Sequence, residues 1–184
     1  MPTNESLIVQ KVAEFFGGTT YDINTRSYRN PTVSGLGVVR RGFTKQEDMA
    51  NYFINQPPGT ASGSVMVVQC PSGHESRVAM AGATDGLKEF RSLVQLHIFV
   101  VSNSSYSEDM QDYTYQLRDD IVNLMHTDRT MGTGGFEAGT GVGFIVGEGG
   151  EPWIRWNSSE PDFEDNWWKM YLLIEFDAVM MLQA

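Results

Sequence analysis

The chain has one cysteine, Cys70, among its 184 residues. A single thiol excludes a disulfide within the chain, and it excludes a zinc site built on two or more thiolates of the same chain. No segment approaches the roughly 18 uninterrupted apolar residues that cross a bilayer, so no membrane span is expected. The opening residues Met1-Pro2-Thr3-Asn4-Glu5 have no basic stretch leading into an apolar one. This predicts no secretory signal and a soluble protein made in a reducing cytoplasm. Positive charge is scarce too: 13 Lys and Arg stand against 23 Asp and Glu, a net charge of −10. The shortage is local, because residues 1–50, 51–100 and 101–184 carry net charges of +1, 0 and −11. An extended groove that grips phosphates needs clustered Lys and Arg, and the acidic C-terminal part argues against one. It suits a surface that must not adhere to nucleic acid.

Hydrophobic residues, at 41%, are ordinary in amount, so wholesale disorder is excluded and one sizeable core can form. The length, and the lack of a repeat or linker, predict one domain over residues 1–184. Residues 5–16 read as a first helix, capped by Asn4 or Ser6, with Ile8, Val12 and Phe15 on one face and Gly17-Gly18 at its end. Residues 19–37 lack a sustained period and read as a long loop, and Val38-Val39-Arg40-Arg41 as a short strand. Thr44-Lys45-Gln46-Glu47 has a capping-box pattern and predicts a short helix with Met49, Tyr52 and Phe53 inward, stopped by Pro57-Pro58-Gly59. Residues 64–70 alternate, Pro71-Ser72-Gly73 reads as a turn and Arg77–Ala81 as the returning strand of a hairpin.

Leu93–Val101 is a strand with Val94, Leu96, Ile98 and Val100 on one face. Ser105-x-x-Glu108 then opens an amphipathic helix near 106–126, with Met110, Tyr113, Leu117, Ile121 and Leu124 inward and acids outward. Residues 132–150 hold nine glycines, which predicts a loop or distorted strand. Trp153–Trp156 reads as a strand and residues 157–166 as an acidic turn. Residues 168–182 carry eight apolar side chains on one face. Fifteen strand residues exceed the usual length, so a bulge or break is expected near Asp177. The fold class is therefore α+β: a mostly antiparallel sheet with the amphipathic helix and the N-terminal helix on one face.

Motifs for bond chemistry are incomplete. Gly134 and Gly139 have the spacing of a phosphate loop, but Thr140-Gly141 stands where Lys-Ser/Thr is required. Gly139-x-Gly141-x-Gly143 is followed by Phe144 at the position of the next dinucleotide-fingerprint glycine. Cys70 and His74 flank the expected turn and could pair as nucleophile and base or as metal ligands. An inert buried cysteine is the plainer reading. His97 reads as a sheet histidine. Glu160, Asp162, Glu164 and Asp165 could hold a hard cation but lack calcium-loop spacing, so a solvated turn is the plainer reading. No catalytic, cofactor or metal residue is assigned, and the chain is not expected to be an enzyme. Trp153 and Trp156, three apart, and the adjacent Trp167 and Trp168 point to opposite faces of their strands. At least one of each pair should lie away from the core, as a contact aromatic or under a second layer.

The strand Val94-Gln95-Leu96-His97-Ile98-Phe99-Val100, the helix Ser105 to His126 and the segment Asp128-Arg129-Thr130-Met131-Gly132 together resemble the tail terminator proteins of long-tailed phages. The likeness continues through Gly147-Glu148-Gly149-Gly150-Glu151-Pro152 and the closing strand Tyr171-Leu172-Leu173-Ile174-Glu175-Phe176-Asp177-Ala178, covering about residues 92–184. It implies a lambda-like tail-terminator fold and a structural virion protein of the tail or neck. Such a protein forms a hexameric ring at the head-proximal end of the tail tube. It stops polymerisation of the tube protein and joins the tail to the head connector, with DNA passing through the channel unbound. On this reading Arg40 and Arg41 of one subunit face Asp112 and Asp119 of the next. Phe136, Phe144, Trp153 and Trp156 contact the tube or connector, and the segments 19–37 and 132–150 serve as arms. Other readings are another neck protein (a head-closure or tail-completion factor), a ligand-binding or enzymatic α+β domain using the Gly-rich loop, and a host regulatory module.

Overall fold

A computed structural model of the protein describes residues 4–81, 85–135, 143–147 and 153–183. In chain order the elements are α1 (Asn4–Gly17), β1 (Tyr21–Asp22), β2 (Ser27–Tyr28), β3 (Leu36–Arg40), a 3₁₀ turn (Met49–Phe53), β4 (Ser62–Ala81), β5 (Asp85–Ser102), α2 (Ser107–Thr127), β6 (Phe144–Val146), β7 (Ile154–Ser158), β8 (Asp162–Glu164) and β9 (Trp167–Gln183). The strands form one sheet in the order β1-β2-β3-β4-β5-β9-β6, with β7 and β8 also paired to β9. Among the described residues only the β3–β4 pair is parallel. The architecture is mixed α+β, with a large, mostly antiparallel sheet and two helices.

Period-two alternation determines which side is core. Val94, Leu96, Ile98 and Val100 of β5 face the same way as Met66 and Val68 of β4 and Leu172, Ile174 and Phe176 of β9. All are buried, and α1 and α2 pack over them through Ile8, Val12, Phe16, Met110, Leu117 and Ile121. On α1 the residue that enters the core is Phe16, while Phe15 stays at its margin. On α2 the deepest residues include Thr114 and Met125, with Tyr113 and Leu124 only partly buried. Thr114 is tolerated there because its hydroxyl donates to the Met110 carbonyl, 2.8 Å away.

Several expectations are corrected. The hairpin turn is not at Pro71-Ser72-Gly73, for β4 runs through it and pairs with β5 from Ser62 to Ala81. A register shift between Gln69 and Ser72 puts Pro71, which has no N–H, where the ladder is already interrupted. The break expected near Asp177 does not occur. β9 pairs with β5 in continuous register from Trp168 to Gln183, and Asp177 sits 3.8 Å from the Arg91 guanidinium. Strands beyond the usual length persist because β4, β5 and β9 lengthen together, each supplying the next with ladder partners. Within 19–37, β1 and β2 form a small hairpin instead of a plain loop.

Neither capping box operates as expected. Asp48 caps the 3₁₀ turn through the Ala50 N–H, and Glu47 turns to Arg40 instead. At α2 the cap position is Tyr106, without a side-chain cap, and Ser104 takes the Tyr106 N–H while bonding Asp109. The acidic segment 157–166 holds the end of β7 and the short strand β8, each paired to β9. β8 meets β9 across Asp165-Asn166, both with positive φ, which is the primed two-residue turn that matches strand twist.

Candidate functional site

The expected contact residues divide into buried and exposed. Arg40 is buried, 5% exposed, because β3 places it beneath the segment that follows. Its Nε and Nη2 donate to both Glu47 carboxylate oxygens at 2.7 and 2.8 Å, and Nη1 bonds the Thr25 and Arg26 carbonyls. Each of its three nitrogens is used internally, so Arg40 is not a subunit-contact residue. Arg41, the next residue, points the other way and is exposed, with its guanidinium 4.6 Å from the centre of the Tyr21 ring. Phe144 is also removed from the contact set, since β6 inserts it fully into the core opposite Met180. Phe136 lies outside the described residues.

Asp112 and Asp119 are exposed on the outer side of α2, and Asp119 accepts from Arg118 at 2.7 Å. The Arg118 guanidinium is 5.4 Å from both the Tyr115 and Trp156 ring centres, so a cation and two exposed aromatics form one patch where α2 meets β7. Trp153 is half-buried, its ring centre 4.7 Å from that of His126 in a tilted arrangement, and it lies near Arg129. Strand parity does not separate Trp153 from Trp156, because Trp153 precedes β7. It had no means of finding the Arg118–Trp156 contact, which joins α2 to β7.

A concavity of about 520 Å³ opens where β3 ends at the Arg40–Val67 pair and β4 runs on without it. Arg26, Arg41, Tyr21, Phe43, Glu5 and Cys70 line it. Burial and the nearby Glu5 charge push the Cys70 thiol up, away from thiolate. His74 lines a different hollow with Arg91, Arg155 and Asp177, so the structure does not converge Cys70 and His74 on one site. The sequence pattern missed this concavity, whose walls come from α1, β1, β3 and β4. The clustering of Arg26, Arg40 and Arg41 was its only signal.

On the sheet face opposite the helices, His97 Nδ1 lies 2.6 Å from the Tyr171 hydroxyl, and the Phe43 ring stands edge-on to the imidazole at 5.1 Å. Burial depresses the His97 pKa against the raising effect of Glu175, so the neutral ring is favoured. Gln95 bonds Glu175 at 2.7 Å beside it. Among the described residues, no group of three or more His, Cys, Asp or Glu converges as a metal site.

At the far margin, Glu164 accepts from Lys169 at 2.6 Å, while Asp162 and Asp165 make no ion pair among the described residues. Phe163, between Asp162 and Glu164, is 56% exposed. Glu160 is exposed nearby. These acids are spread along a hairpin edge and, among the described residues, form no group of three that converges. Compared with known proteins, the chain matches no protein-family model and no curated protein.

Proposed function

We propose that the chain is a structural subunit of a phage tail, with a lambda-like tail-terminator fold. It assembles into a ring on the head-proximal end of the tail tube, stops tube growth and joins the tail to the head connector. The observation that carries this reading is the separation of charge across the sheet. Because strand order largely follows chain order, Arg26, Arg29 and Arg41 gather at the β1–β3 margin, where Arg40 is already neutralised by Glu47. Glu160, Asp162, Glu164 and Asp165 gather at the β8 margin. A tile with opposite charge on opposite sides is suited to head-to-tail contact between copies, and such contacts close into rings when the rotation per subunit allows. The acidic outer side of α2 suits a channel that DNA crosses without sticking. The aromatic patch of Tyr115, Arg118 and Trp156 is a candidate contact for tube or connector.

Two electron-microscopy experiments test the reading. Purified protein should form closed rings, and tails assembled without it should carry over-long tubes. Tubes of normal length detached from heads would instead make it a joining factor of the same neck. Tails normal in length and attachment would remove it from the virion.

A further inference from the structure

The concavity beside β3 has charge to spare. Arg40 is neutralised by Glu47, but Arg26 and Arg41 have no carboxylate within ion-pair distance among the described residues, and Glu5 is the only acid in the lining. Its aromatic walls are Tyr21, which holds the Arg41 plane, and Phe43, which is 53% exposed. A hollow of about 520 Å³ falls in the range that takes a small ligand or a few side chains. The molecule carries a shape of the opposite character in the β8–β9 hairpin. There an exposed Phe163 is flanked by Asp162 and Glu164, and Asp165 stands at a tight two-residue turn. A turn already set by its backbone loses little freedom when it docks.

The two features cannot meet within one chain. β4, β5 and β9 lie between β3 and β8 in the sheet, which at the usual strand spacing separates them by about 20 Å. We propose that the β8 hairpin of one copy seats in the β3 concavity of the next. Phe163 then lies against Tyr21 and Phe43, and the Asp162 and Asp165 carboxylates lie on Arg41 and Arg26. The occupant is a second copy of this chain, because the complementary surface is present on the same molecule at the opposite margin. The contact is heterologous, with one surface engaging a different one, so it propagates around a ring instead of stopping at a pair. The inference rests on the self-assembly part of the reading above and names its contact.

The test uses two charge reversals on exposed residues, Arg41→Glu and Asp162→Lys, each followed by sedimentation velocity. Wild-type protein should self-associate. Each variant alone should associate at least about tenfold more weakly, since like charges then face each other across the contact. An equimolar mixture of the two variants should regain association. Alternating copies then pair the introduced glutamate of one variant with the introduced lysine of the other at one junction, and the native Arg41 and Asp162 at the next. Recovery in the mixture also shows that both variants are folded. Variants that associate as wild type does, or a mixture that stays dissociated, overturn the contact while leaving ring formation by the wild type intact. Wild-type protein that remains monomeric and is stabilised against heat by inorganic phosphate overturns it in favour of a small-anion site. Absence of rings from wild-type protein under all conditions removes the self-assembly reading along with it.

Discussion

The Arg40 guanidinium is nearly out of water, and the carboxylate of Glu47 and two backbone carbonyls meet its donors. A pair of this kind adds little over a hydrophobic replacement, but removing one partner leaves a buried charge without compensation. Glu47→Ala should therefore cost about 3 kcal/mol of stability, read as a lowered urea midpoint at an unchanged m-value. A loss below about 0.5 kcal/mol, the range of ordinary surface substitutions, would show that the carbonyls of Thr25 and Arg26 suffice. The sequence shows Arg40 and Arg41 as equals. One residue of strand parity separates them, one turned to an internal partner and the other to solvent. Asp128 illustrates the same local logic at a loop. Burial draws its pKa upward, yet bonds from the Thr130 hydroxyl and the Gly132 and Thr130 N–H groups outweigh this and hold it low.

Between elements, the 3₁₀ turn Met49–Phe53 lies unusually close to the sheet. A Cβ added at Gly37 of β3 would land on the Asn51 carbonyl, and one added at Gly63 of β4 would land on the Tyr52 carbonyl. The two glycines therefore act together, allowing one backbone to rest on two strands, and this seats Tyr52 beside Phe43 and Phe99. Gly37→Ala should destabilise by about 2–3 kcal/mol, at the upper end of overpacking costs, and should shift the urea midpoint accordingly. A neutral result would mean that the turn can lift away freely. The long strands follow a related rule. Proline at 71 and aspartate at 177 each look like breaks when a segment is read alone. Both are absorbed, the first by a bulge and the second by Arg91 on the neighbouring strand.

For the molecule as a whole, two electrostatic effects oppose each other. Copies carrying −10 each repel at long range, whereas the proposed junction attracts at contact distance. The Debye length falls from about 30 Å at 0.01 M salt to about 8 Å at 0.15 M, so moderate salt screens the repulsion first. Self-association should pass through a maximum as ionic strength rises and weaken again when the junction itself is screened. Sedimentation velocity over a salt series checks this, and an association constant flat across the series would rule out charge as the organiser of assembly.

Composition and periodicity alone determined the class of the fold, the core faces of β5 and β9, three of the core positions of α2 (Met110, Leu117 and Ile121), the span of α1 and the uneven charge along the chain. These features are legible because alternation at two residues and recurrence at three or four are local consequences of backbone geometry. Only the tertiary structure decided that β4 continues past Pro71 and that Arg40 is spent internally while Arg41 is not. It also placed Phe144 in the core and brought Arg118 between Tyr115 and Trp156. Each of these depends on a partner outside its own element, and a pattern read along one strand carries no record of what its neighbours present. The charge asymmetry was visible as a list, and strand order turned it into two opposite margins.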